Sequence, residues 1–239
     1  MREDLQAYLG SAEWARKEQD FVELGQAPWI VVFDGSDEVQ EVRNTFASGN
    51  YRAAAGAAGA LGERFLNMLV RDLREEFPPA SVQLARRWSS KWQPLVRALE
   101  DWGVFTEDLA AAAMRLAALR NMALHRGFAS DGRSEAMEAH GILRTLMEGV
   151  LGGLPPTRWF IQHHAHEPLI AEEYEAHPVV QVYYAPQSAY VGPWHKLDFE
   201  PAPGGMRVVV HDSHEYADVS ISDDEFLALR REGPPLSDA

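Results

Sequence analysis

The chain contains no cysteine, which excludes disulfides, thiolate zinc sites and catalytic thiols. It also lacks any run near the roughly eighteen apolar residues of a membrane span. The opening MREDLQAYLG has no apolar core of the kind a secretory signal needs. A cytoplasmic protein without membrane association is the expectation. Basic residues are few: 22 Lys and Arg stand against 36 Asp and Glu, a net charge of −14. Such a balance disfavours a phosphate-bearing partner, because phosphate contacts rely on Lys and Arg. The charge is unevenly spread, however. From Ser81 to Arg144 nine basic residues face seven acidic ones, a local +2 that leaves −16 for the rest. A polyanion is therefore allowed there, while the acidic remainder suits solubility or a basic partner. Repeats and low-complexity tracts are absent as well.

What is present reads as mainly helical. With 239 residues and an apolar fraction of 46%, one large domain or two small ones can close a core. Glu3 to Leu24 carries Leu5, Tyr8, Leu9, Trp14, Phe21 and Leu24 at roughly helical spacing. Pro28 to Phe33 is a dense apolar run, a strand or a buried strap. Helices are expected from Ser36 to Ser48 and from Tyr51 to Phe77, the second closed by Pro78-Pro79. Its first half, Ala53 to Ala60, is built of Ala and Gly and predicts close packing on a neighbouring helix. Val82 to Trp88 and Trp92 to Trp102 read as short helices interrupted near Pro94, with Trp88, Trp92 and Trp102 as core residues, any exposed ring among them being free to stack on a base. Thr106-Glu107-Asp108 is a capped, acidic start for a central helix reaching Arg126, with Gly127 behind it. Ser134 to Leu151 follows, and Gly152-Gly153-Leu154-Pro155-Pro156 closes the helical region.

Beyond it the texture changes. Trp159 to Tyr174 reads as a last helix broken at Pro168. Val179–Tyr184, Ala189–Val191, Met206–His211 and Tyr216–Ile221 read as strands of a small antiparallel sheet. Ser222-Asp223-Asp224-Glu225 caps a short terminal helix. The expected division is an N-terminal helix and strap over 1–35, a helical bundle over 36–153, and a smaller α+β domain over 154–239.

The central helix is apolar on two sides. Leu109, Ala112, Ala113, Leu116, Leu119, Ala123 and Leu124 form one stripe, and Ala110, Ala111, Met114, Ala117 and Ala118 another that leads to Asn121 and His125. A helix apolar on both sides is covered on both sides, so the second stripe predicts a helix layer or a homodimer seam. An ideal wheel sets Arg120 roughly 140° from His125, on the core side. Three polar groups on so apolar a segment make either a reactive site or a buried polar network that only holds helices together.

Arg120-Asn121-xxx-His125, near the end of the third long helix of an alanine-rich bundle, resembles the Arg-polar-xxx-His motif of the HEPN superfamily. The likeness runs from about Gly49 to Leu151. It takes in Gly49-Asn50-Tyr51-Arg52-Ala53-Ala54-Ala55, Leu61-Gly62-Glu63-Arg64-Phe65-Leu66 and Leu99-Glu100-Asp101-Trp102-Gly103. The likeness does not extend to Met1–Asp34 or to Thr157–Ala239. The resemblance implies an all-α homodimer and a metal-independent endoribonuclease of toxin–antitoxin or antiphage type, needing no cofactor. By that likeness Arg120 would bind the scissile phosphate. His125 would serve as general acid or base, and Asn121 would orient the imidazole or a phosphate oxygen. The products would be a 2′,3′-cyclic phosphate and a 5′-hydroxyl. RNA and an antitoxin or sensor protein are the implied partners. The alternative is an inactive dimerisation or protein-binding module. Arg115 and Arg126 flank the motif and are candidates for holding RNA backbone. Two histidine clusters, His163, His164, His166 with Glu167 and His211, His214 with Glu215, have workable ligand spacing but match no zinc signature. Surface histidines account for them more simply, and no metal is expected.

Overall fold

Each long helix of this chain buries one stripe of apolar side chains. The computed structural model describes residues 6, 10, 12–28, 32, 35–84, 88–128, 131–152, 157–161, 169–188, 190–202, 205–211 and 219–233. In the first unit, Met1–Thr157, the helices are α1 (Trp14–Glu23), α2 (Ser36–Ala47), α3 (Tyr51–Leu73), α4 (Trp92–Asp101), α5 (Glu107–Asn121) and α6 (Arg133–Leu151). Thr106 caps α5 by accepting from Leu109 N at 3.3 Å, as its sequence predicts. Most of the apolar run at Pro28 to Phe33 lies outside the described residues.

Helix α3 is the hub. It packs against α2, α5 and α6, while α4 closes on α5. Its glycines set how close α5 can come. A Cβ on Gly56 would touch Leu124, one on Gly59 would run into Arg120 Cβ, and one on Gly62 would lie 2.7 Å from Leu116 Cδ2. The chain numbers run in opposite senses, so the two helices are antiparallel. Steps of three on α3 meet steps of four on α5, the ridge spacing of helices that cross at roughly 20°. The small-residue half of α3 thus meets a neighbouring helix, as expected from sequence.

Two sequence expectations are corrected here. Described residues of the Val82–Trp88 stretch are not helical. Backbone groups of the loop there are satisfied by side chains instead: Asn67 bonds both Ser89 N and Ser89 O, and Asp101 accepts from Ser81 N. Pro94 does not interrupt α4 but sits in its first turn, where a missing N–H costs nothing. Trp92 and Trp102 are buried as expected, whereas Trp88 is 57% exposed.

Helix α1 is fastened by charge more than by apolar burial. Asp20, its one buried residue, accepts from Arg16 Nη1 at 2.9 Å, Tyr51 Oη at 2.8 Å and Arg133 Nε at 2.9 Å. Each carboxylate oxygen is thereby used, which is what makes a buried charge tolerable.

The second unit, Arg158–Ala239, is smaller. Strands β1 (Lys196–Ala202) and β2 (Gly205–His211) form an antiparallel two-stranded sheet in which Lys196 pairs with His211 and Ala202 with Gly205. Only β2 was legible beforehand; β1 escapes because Pro201 interrupts its pattern. The segment Val180–Tyr184 is helical, not a strand. It buries Val179, Val180, Tyr183 and Tyr184, and those positions fit one helical face as well as an extended run. No helix replaces Trp159 to Tyr174 among the described residues: Phe160 bridges Ile170 and a short 3₁₀ turn covers Glu172–Tyr174. Tyr190 and Val191 are irregular, as are Val219 to Ile221. Helix α7 (Asp223–Glu232) carries the expected cap, Glu225 N donating to Ser222 Oγ at 3.3 Å. Among the described residues no helix is long and apolar enough to cross a membrane.

Two outcomes test this packing. Gly59→Ala should lose about 2 kcal/mol in urea unfolding, since overpacking exceeds the helix-propensity gain. Gly141→Ala in α6, whose Cβ would meet nothing within 4 Å, should be stabilised by up to about 1 kcal/mol. His140 offers the second. Burial, with repulsion from Arg43 of α2 and Arg144 of α6, pushes its imidazole down to about 4. An unfolded imidazole titrates near 6.5, so between these values only the unfolded chain takes up the proton. Stability should therefore fall as pH drops from about 6.5 toward 4, by about 3 kcal/mol in all. Urea midpoints in chloride buffer should show a shallower acid loss for His140→Gln.

Candidate functional site

Helix α5 buries Ala110, Ala113, Leu116, Ala117 and Leu119 against the bundle and leaves one face open. That face carries Ala111, Met114, Ala118 and Asn121, and continues to Leu124 and His125. Of the five seam positions read from sequence, Ala110 and Ala117 are covered inside the single chain, at 6% and 8% exposure. They cannot line a seam between chains. Ala111, Met114 and Ala118 remain for it. The wheel also misplaces Leu124, which is 49% exposed and not in the core.

The cause is local. The last turn, Met122–Arg126, is a π turn, closed by Gly127 N donating to Met122 O at 2.8 Å. Its bonds span five residues instead of four, so each residue turns through a smaller angle than in an α-helix. Side chains after Asn121 rotate out of the wheel's register, and part of the roughly 140° between Arg120 and His125 is closed. Arg52 of α3 holds the turn by donating from Nε to Ala123 O. Gly127, with φ 76°, ends it.

Arg120 leaves this open face. Its side chain lies against Gly59 and forms an ion pair with Glu63 of α3, Nη2 to Oε2 at 3.1 Å. Glu63 is 7% exposed and also accepts from Trp88 Nε1 at 3.0 Å. Arg120 Nε is buried without an acceptor. Asn121 and His125 are exposed on the other side. The structure thus brings Asn121 and His125 to one surface and gives Arg120 a carboxylate partner of its own.

Glu63 is the residue that sequence reasoning passed over. Its signal was visible: it is the one carboxylate in α3 set one turn beyond Gly59, on the face that small residues mark for contact. Trp88 belongs to the same group, as an exposed ring tethered through Glu63 to the motif arginine.

A shallow groove of about 770 Å³ adjoins the motif. Gly49, Tyr51, Arg52, Gly56 and Ala60 line one side, and Ala123, Leu124 and Asp131 the other. Of the flanking arginines, Arg115 is engaged with Glu138 of α6, Nε to Oε1 and Nη2 to Oε2 both at 2.7 Å. That fork raises its pKa further. The side chain of Arg126 lies outside the described residues.

Among the described residues no group of three His, Asp or Glu could hold a metal. His163, His164, His166, Glu167, His214 and Glu215 lie outside them. His211, at the end of β2, faces Asp198 at 3.3 Å. Comparison with known protein families, with curated proteins and with solved structures finds no match.

The buried pair should matter more than the exposed one. Glu63→Gln leaves Arg120 without a counter-charge and should lower stability by about 2 kcal/mol in urea unfolding. Arg115→Ala, which breaks a surface pair, should stay within about 0.5 kcal/mol of wild type.

Proposed function

We propose that this chain is a HEPN-like, metal-independent endoribonuclease of a toxin or antiphage type, acting as a homodimer. One observation carries the reading: Asn121 and His125 are exposed together at the end of the open Ala111, Met114, Ala118 stripe of α5. Two copies meeting along that stripe would set two imidazoles and two amides in one cleft. The 2′-oxygen of the RNA forms the new bond to phosphorus and gives its proton to one imidazole. The bond from phosphorus to the 5′-oxygen breaks, and the leaving oxygen takes a proton from the partner's His125. Asn121, one turn before His125, orients the ring or a phosphate oxygen. Arg120 supplies positive charge from behind the face.

A specific observation favours a second reading. The Arg120–Glu63 ion pair is what a dimerisation or protein-binding scaffold would keep, with the motif arginine fastening α5 to α3. On that reading an antitoxin or sensor protein is the ligand of the open stripe.

Cleavage of structured RNA in EDTA separates the two. On the nuclease reading wild type cuts and leaves 2′,3′-cyclic phosphate ends. His125→Ala then loses at least about 100-fold in rate, with unchanged thermal midpoint and dimer content. Equal weak cutting by wild type and His125→Ala defeats that reading. An inert wild type, with Arg120→Ala destabilised, supports the scaffold.

A further inference from the structure

Arg43 is a buried cation. It is 2% exposed on α2, and among the described residues no carboxylate pairs with it. Its terminal nitrogens donate to the Leu24 and Gly25 carbonyls just past α1. The guanidinium lies over the Phe21 ring, 5.6 Å from its centroid. Its Nε is buried and meets no acceptor. Carbonyls at a helix C-terminus offset part of such a charge, but they carry no net negative charge, and one donor stays idle.

A second arginine and a histidine reach the same corner from α6. A Cβ on Gly25 would lie 3.8 Å from Arg144 Nη1, so both guanidiniums converge on Gly25. Arg144 is anchored at its other nitrogen, Nε donating to the two Glu148 oxygens at 3.1 and 3.0 Å. Its terminal nitrogens stay turned toward the corner. His140, one turn earlier, is 4% exposed, and among the described residues its ring makes no hydrogen bond. Both arginines are close enough to oppose its protonation. Three cationic or protonatable groups on two helices therefore lie close together, with an idle donor on Arg43 and, among the described residues, Glu148, already bound to Arg144, as the one carboxylate paired with any of them.

We infer that Arg43, His140 and Arg144 form a binding site for a small oxyanion of the phosphate class, in the corner between α2, α6 and the end of α1. Guanidinium forks match the spacing of phosphate oxygens, and the imidazole adds a donor once an anion favours its charged form. Bound there, the anion joins α1 to α2 and α6. The site lies apart from the Arg120 motif and does not depend on the ribonuclease reading.

The test uses the full chain, with inorganic phosphate titrated against sodium chloride at equal ionic strength. Thermal midpoint and the His140 ring resonances, assigned with His140→Gln, are followed together. Phosphate should raise the midpoint and move the His140 signal saturably toward the protonated form, and chloride should do neither. Arg43→Met should weaken phosphate binding by at least about tenfold, as loss of a charge-assisted hydrogen bond predicts. Arg144→Gln, at a half-exposed position, should also weaken it and decides the matter if Arg43→Met fails to fold. Phosphate acting no differently from chloride on wild type, or binding Arg144→Gln as tightly as wild type, overturns the proposal.

Discussion

The close approach of α3 and α5 through Gly56, Gly59 and Gly62 is the constraint on which the first unit depends. Glycine at 59 and 62 lets Arg120 and Leu116 sit where a Cβ would stand, and at 56 Leu124 comes into ordinary contact. Interiors are packed densely enough that one methyl is felt. The small gap draws the motif arginine onto α3, within reach of Glu63. It also sets the groove beside the π turn, because Gly56 and Leu124 line its two walls. Packing and candidate chemistry are consequences of one stripe of small residues.

Charge placement follows a consistent pattern around that core. Asp20 is buried and fully partnered by Arg16, Tyr51 and Arg133. Glu63 is buried and shared between Arg120 and Trp88. Arg115 and Glu138 meet on the surface, where their pairing contributes little to stability. Arg43 departs from the pattern, being buried with only backbone carbonyls and an aromatic face to hold it. An acidic protein that keeps two arginines and a histidine in one corner has placed them against its own net charge.

Much of the helical unit was legible residue by residue. Thr106 and Ser222 announced their helices because a side-chain oxygen before an acidic first turn satisfies a backbone N–H locally. The Ala and Gly run of α3 announced a close neighbour. The second unit was read less well. Val179 to Tyr184 looked like a strand because short apolar runs suit a helix and a strand equally, and β1 was hidden by Pro201. At the candidate site, Asn121 and His125 were found by spacing, while Glu63 was not, because its partner lies on another helix 57 positions away in sequence.

Sequence alone determined most of the helices of the first unit, where the long ones start and that α5 is apolar on a second side, since periodicity and local start signals act over a few residues; the Val82–Trp88 stretch is the exception. Tertiary structure decided the rest. It covered Ala110 and Ala117, exposed Leu124 beside the π turn, tied Arg120 to Glu63 and set Arg43 against backbone carbonyls. Each of these depends on which side chain another helix brings close, and a wheel drawn for one helix contains no such information.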